Sequence, residues 1–89
     1  METANLIINS EQGLHARPAD LFIRTVNQFS CDIKVKNLTT CSDFVNAKSI
    51  LRVLSLGVYK GHTILVQAEG TDELQAIEGI SALVKSNFS

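Results

Sequence analysis

Residues 31–36 read Cys-Asp-Ile-Lys-Val-Lys, and this stretch decides the fold class. Apolar and polar side chains alternate strictly along it, so successive residues face opposite sides of a strand. A strand with one apolar and one wet face is typical of an antiparallel sheet that is covered on one side only. The sequence therefore predicts a sheet whose second face remains open to solvent.

The segments on either side supply the rest of the sheet and its cover. Further strands are predicted over residues 5–9, 44–47 and 63–68. Helices are predicted from about residue 16, over residues 49–56, and after the turn at residues 70–73. The apolar stripes that face the sheet are Ala19, Phe22, Ile23, Val26 and Phe29 in the first helix and Leu74, Ile77, Ile80, Val84 and Phe88 in the last. The order β-α-β-β-α-β-α predicts an α+β fold, a four-stranded antiparallel sheet with three helices on one face.

Composition excludes several functional classes. The chain has 89 residues, enough for a single domain over residues 1–89, and a net charge of -1. Eight basic residues against nine acidic ones exclude nucleic-acid binding by bulk charge. The chain has no run of 18 apolar residues and does not begin with a signal-like segment, so we expect a cytoplasmic, monomeric protein outside the membrane. The spacing of Cys31, Cys41, His15 and His62 predicts no metal site, no disulfide and no cofactor.

Residues 13–19 read Gly-Leu-His-Ala-Arg-Pro-Ala and place a histidine where a helix begins. Pro18 fits the first helical turn because it lacks a backbone N–H, so His15 falls at the N-cap. The backbone N–H groups of Ala16 and Arg17 and the helix dipole favour an anion there, and a guanidinium suits phosphate oxygens. The pattern indicates an imidazole that accepts a phosphoryl group and passes it on. A polar loop histidine beside a solvated arginine is the alternative.

Three segments carry a resemblance to a known family: residues 13–19 (GLHARPA), 45–57 (VNAKSILRVLSLG) and 68–72 (AEGTD). In this order they resemble the active-centre signature, the regulatory-serine segment and the start of the closing helix in HPr, the histidine-containing phosphocarrier family of the bacterial sugar phosphotransferase system. The resemblance implies an open-faced β-sandwich and a carrier rather than an enzyme. It implies that enzyme I takes a phosphoryl group from phosphoenolpyruvate and transfers it to Nδ1 of His15. Arg17 would then stabilise the phosphate, and enzyme IIA domains would receive the phosphoryl group.

The resemblance also concerns Ser49, where an HPr kinase/phosphorylase modifies some members and links them to a transcription regulator. A plain N-cap serine is the other interpretation, and both stay open. Arg52 stands where kinase-regulated members often have glycine, which favours the plain cap. The turn over residues 37–43 is about three residues longer than in compact members. Asp20 replaces a small or neutral residue and can pair with Arg24 or with Arg17.

The helix over residues 50–56 has five apolar residues in seven, more than one buried face can hold. We expect Val53 and Leu56 inside and the other three partly exposed. An exposed apolar patch with basic residues around it, Arg17 included, predicts an acidic protein partner. The predicted docking residues are Leu21, Arg24, Lys48, Ile50, Leu51, Arg52 and Leu54.

Three functions remain open on the sequence alone. The first is a phosphocarrier in sugar uptake. The second is a regulatory module of the same fold, either in a nitrogen-type phosphotransferase branch or in binding a regulator under control of Ser49. The third is an unrelated small domain whose His15 is incidental.

Overall fold

The computed structural model describes residues 1–89 and has four strands and three helices in the predicted order. The elements are β1 (Glu2–Ile7), α1 (Ala16–Val26), β2 (Asp32–Asn37), β3 (Val45–Asn46), α2 (Ile50–Ser55), β4 (Thr63–Glu69) and α3 (Glu73–Lys85). The strands form one sheet in the order β1-β4-β2-β3, and every pair is antiparallel. The predicted fold class is therefore confirmed. None of the helices is long and apolar enough to cross a membrane.

The register of the sheet explains its single buried face. Val66 in the central strand β4 lies opposite Ala4 of β1 and Val35 of β2, and Val35 lies opposite Val45 of β3. Alternate residues of β2 and β4 are buried, and those between them are exposed or partly exposed. The predicted open face is thus present, because the three helices pack on the other side.

All four strands differ from their predicted bounds, and the changes in β1 and β3 have a clear cause in the pairing. Residues 5–9 were the expected first strand, but β1 covers Glu2–Ile7 because its pairing with β4 begins at Glu2 opposite Ala68. The chain still bonds to the neighbouring loop at Ile8, whose N–H donates to the carbonyl of His62 at 2.9 Å. β3 is limited to two residues because only Val45 and Asn46 pair with β2.

The core contains the predicted helix stripes with one exception. Phe22 and Val26 of α1 and Ile80 and Val84 of α3 are buried, but Leu74 is 52% exposed, so its assignment to the stripe was wrong. Steps of three residues fall about 60° short of a full helical turn, so two such steps rotate Leu74 away from Ile80 by about 120°. The buried position in that turn is instead Ala76, four residues before Ile80.

The carboxylate of Asp72 joins the start of α3 to the loop after α1. It accepts hydrogen bonds from the backbone N–H of Ser30 at 2.8 Å and of Cys31 at 2.9 Å, and does not cap its own helix. The Ser30 bond, followed by the Cys31 thiol, holds the pKa of Asp72 below its usual 3.8. Burial, together with Asp72, raises the pKa of the Cys31 thiol to about 11.

Asp72→Asn should therefore destabilise the fold in a pH-dependent way. The folded-state pKa is depressed, so the stabilisation by the carboxylate is present above the usual value of 3.8 and is lost as the pH falls through the folded-state value. Thermal unfolding should give a lower midpoint for the variant at pH 7, and the difference should shrink as the pH falls below about 4. Asp32→Asn, at an exposed carboxylate on β2, is the matched control. A difference that stays constant with pH would contradict the argument.

Candidate functional site

The chain before α1 is pressed against the loop that follows α2. Gly13 has a φ of +64°, and a Cβ placed on it would lie 2.3 Å from the carbonyl oxygen of Val58. The next N–H, of Leu14, donates to that same carbonyl at 3.0 Å. Only glycine fits this conformation and this approach, so Gly13 sets where the next residues lie.

His15 follows directly and is the N-cap of α1, as predicted. Its side chain makes no capping hydrogen bond, and the backbone N–H groups of Ala16 and Arg17 donate none within the chain. Ala16 has a φ of +52°, a left-handed conformation that costs a residue with a side chain about 1–2 kcal/mol. An unengaged imidazole therefore lies at the positive end of a helix with two free donors beside it.

The two nitrogens of the His15 ring differ in environment. Nε2 is buried and has no hydrogen-bond partner, whereas Nδ1 is not among the buried atoms. The ring of Tyr59 lies beside the imidazole, with 5.6 Å between ring centroids and 42° between planes. Nδ1 is therefore the nitrogen that a reactant can reach.

Arg17 is exposed and makes no ion pair. Of the two partners considered for Asp20, the structure has Arg24, with 3.0 Å between Nε and the carboxylate. A groove of about 330 Å³ runs past Arg17 and Pro18. The other residues that line this groove are Ser10, Glu11, Gln12, Asn87 and Phe88. The guanidinium is thus free to meet an anion.

The surface around α2 has the predicted division of apolar side chains. Val53 and Leu56 are buried, whereas Leu51 is 76% exposed and Ile50 is 39% exposed. Leu21 and Leu54 are half-buried, and Arg24 and Arg52 are exposed.

Two residues at the start of α2 have structural partners. The Lys48 ammonium, a predicted docking residue, donates to the carbonyl of Phe29 at 2.8 Å and so has one partner within the chain. This carbonyl lies at the end of the turn that follows α1, and the lysine satisfies it with a hydrogen bond. Ser49 is the N-cap of α2, and its hydroxyl accepts from the N–H of Arg52 at 3.4 Å. The predicted capping role of Ser49 is confirmed.

The sequence pattern did not predict Tyr59, whose ring lies beside the His15 imidazole, or the contacts of Tyr59 and Asn37 with His62. The N–H of Tyr59 donates to Nδ1 of His62 at 3.2 Å, and the buried Asn37 amide lies 3.1 Å from the same atom. The one available signal was Asn37 itself, a polar residue at an inward position of β2. No group of three or more His, Cys, Asp and Glu side chains is placed to hold a metal ion.

Comparisons with known proteins point to one family. A family model described as "PTS HPr component phosphorylation site" matches residues 2–86. The chain is 40% identical over 85 residues to a Multiphosphoryl transfer protein of Haemophilus influenzae, a match that covers 96% of this chain and 17% of that protein. It is similar in structure to HPr-C-His from Thermoanaerobacter tengcongensis, with a TM-score of 0.93 and 42% identity over 99% of this chain and 96% of that one. A crystal structure described as an HPr dimer from the same organism matches with a TM-score of 0.78 and 42% identity, over 100% and 99% of the two chains.

Gly13→Ala tests whether the close approach to Val58 places the site. Gly57→Ala is the matched control, because Gly57 has a φ of +60° but nothing within 4 Å of an added Cβ. Both variants carry the conformational cost, and only Gly13→Ala adds a steric conflict, which should cost about 1–3 kcal/mol more. We expect urea unfolding to give this difference. The NMR signals of the His15 ring should shift in Gly13→Ala alone, and equal effects in the two variants would contradict the role of the contact.

Proposed function

The chain belongs to the PTS HPr family, phosphocarriers rather than catalysts, and from this we propose that it accepts a phosphoryl group from enzyme I on Nδ1 of His15 and passes it to enzyme IIA domains for sugar uptake. One observation carries the proposal. An unengaged imidazole with an accessible Nδ1 lies at a helix N-terminus, two residues before Arg17, whose guanidinium forms no ion pair.

In the proposed phosphoryl transfer, the ring nitrogens, the backbone N–H groups and the guanidinium of Arg17 have different roles. Nδ1 attacks phosphorus with its lone pair, a new P–N bond forms, and the bond from phosphorus to the donor's leaving atom breaks with its electron pair. The ring proton is held on Nε2 while Nδ1 attacks. The free N–H groups of Ala16 and Arg17, the helix dipole and the guanidinium stabilise the negative phosphoryl oxygens. In the onward transfer a nucleophile of the acceptor attacks phosphorus, and the P–N bond breaks with its electron pair returning to Nδ1.

Partners dock, in this proposal, on the surface next to the histidine. Ile50 and Leu51 supply exposed apolar area, and Leu21 and Leu54 extend it. Arg24, Lys48 and Arg52 are the basic residues at this surface that complement an acidic partner. We further propose that the 89 residues act as one carrier domain in the cytoplasm, as a monomer that presents this surface to one partner at a time.

The regulatory alternative rests on Ser49 and is separable from the carrier function. A phosphate on an N-cap hydroxyl meets free N–H groups and the positive end of a helix. His15→Ala retains that hydroxyl, so a module controlled through Ser49 would keep its phosphorylation by a kinase/phosphorylase in this variant. The carrier function would be lost.

His15→Ala should abolish phosphoryl uptake without unfolding the protein. Incubation with enzyme I and phosphoenolpyruvate, followed by intact mass before and after mild acid, should show one acid-labile phosphoryl group on the wild-type chain and none on the variant. Cys41→Ser, which removes an exposed nucleophile elsewhere, should behave as the wild type. An acid-labile group that persists in His15→Ala would place the carrier site on another residue.

Leu51→Asp should weaken binding to enzyme I by about tenfold or more, since it places a carboxylate in the centre of the apolar surface and opposes an acidic partner. Leu74→Asp is the matched control, because Leu74 is also a largely exposed leucine but lies on α3. Titration calorimetry with enzyme I measures both affinities. Equal losses in the two variants, or none in Leu51→Asp, would remove this surface from the interface.

A further inference from the structure

The Nε2 atom of His15 is a buried polar atom with no hydrogen-bond partner. A buried donor without a partner costs about 1–3 kcal/mol, so its position requires an explanation. The aromatic ring that lies beside the His15 imidazole belongs to Tyr59, with 5.6 Å between ring centroids, and Tyr59 is itself 62% exposed. A large aromatic side chain is therefore mostly exposed at the surface next to the imidazole of His15.

Tyr59 is held in place by a second histidine. Its backbone N–H donates to Nδ1 of His62 at 3.2 Å, and the two rings meet edge to face with 5.7 Å between centroids. The Asn37 amide nitrogen lies 3.1 Å from the same Nδ1. Two donors meet this one nitrogen, so it acts as an acceptor and the proton of the His62 ring is on Nε2.

The anchor of this arrangement lies in the core. Asn37 is fully buried, and its side-chain oxygen accepts from the N–H groups of Thr39 at 3.0 Å and Thr40 at 3.3 Å. Its amide nitrogen also donates to the carbonyl of Leu56 at 3.4 Å. The position of Tyr59 thus follows from a buried side chain whose hydrogen bonds extend to both ends of the loop after α2.

We propose that Tyr59 is a positioning residue for His15. The Tyr59 ring covers Nε2 of the imidazole and leaves Nδ1 facing solvent, so that phosphorylation occurs on Nδ1 alone. The inference rests on the proposed function in one respect, that His15 is the group phosphorylated. A neutral imidazole has two tautomers, and either nitrogen can carry the reactive lone pair. A side chain that blocks access to Nε2 therefore favours reaction at Nδ1, without itself contacting the phosphate.

The test uses phosphoramidate, a small donor that needs no enzyme I. The attacking ring nitrogen forms a P–N bond with its lone pair, the donor's own P–N bond breaks, and its nitrogen leaves as ammonia after taking up a proton. Long-range ¹H–¹⁵N correlation on histidine-labelled protein then distinguishes substitution on Nδ1 from substitution on Nε2. The wild-type chain should carry the phosphoryl group on Nδ1 alone.

Tyr59→Ala should raise the ratio of Nε2 to Nδ1 product by about tenfold or more, which corresponds to about 1.4 kcal/mol of lost selectivity. Tyr59→Phe retains the ring and should keep the wild-type ratio, as should Leu74→Ala, which trims an exposed side chain on α3. A wild-type ratio in Tyr59→Ala, or a Tyr59→Phe protein that behaves like Tyr59→Ala, would overturn the shielding role.

A separate incubation with enzyme I and phosphoenolpyruvate tests the proposed function independently of the role of Tyr59. A wild-type chain that reacts with phosphoramidate on Nδ1 but takes nothing from enzyme I would refute the carrier function, and the isomer ratio of the Tyr59 variants would still decide the role of the ring. Amide spectra of each variant establish that it is folded before the ratio is read.

Discussion

The contact between Gly13 and the Val58 carbonyl is the constraint on which the rest of the site depends. Because the backbone approaches this closely, α1 begins against the loop after α2 rather than in open solvent. The His15 ring is thereby placed next to Tyr59, and its Nε2 is covered. A glycine without a side chain thus helps to set the position of the proposed phosphorylation site.

The loop that receives this contact is itself fixed from the core. Asn37 bonds to the Leu56 carbonyl on one side of the loop and faces His62 on the other. A buried amide with all its groups satisfied specifies one arrangement, since any displacement would leave several polar atoms without partners. The sheet therefore supports the site through hydrogen bonds as well as through packing.

The fold was predictable because its signals are local. Alternation in residues 31–36 and the helical stripes depend on which side of an element each residue faces, and backbone geometry fixes that. The N-cap position of His15 was predictable for the same reason, since Pro18 marks the start of the helix. The partners of Lys48 and the grouping of Tyr59 with His62 were not, because both depend on tertiary contacts between distant segments.

Two of the basic residues at the proposed docking surface have partners within the chain. Lys48 is bound to the Phe29 carbonyl, and Arg24 is shared with Asp20. The latter pair is exposed, and such i,i+4 pairs stabilise a helix by only about 0.3–0.5 kcal/mol, so an acidic partner can compete for Arg24. Arg17 and Arg52 form no ion pair within the chain that a partner would have to break. In the proposed docking, an acidic surface would therefore meet its strongest attraction at these two arginines, and the exposed Leu51 next to Arg52 would supply the apolar contact.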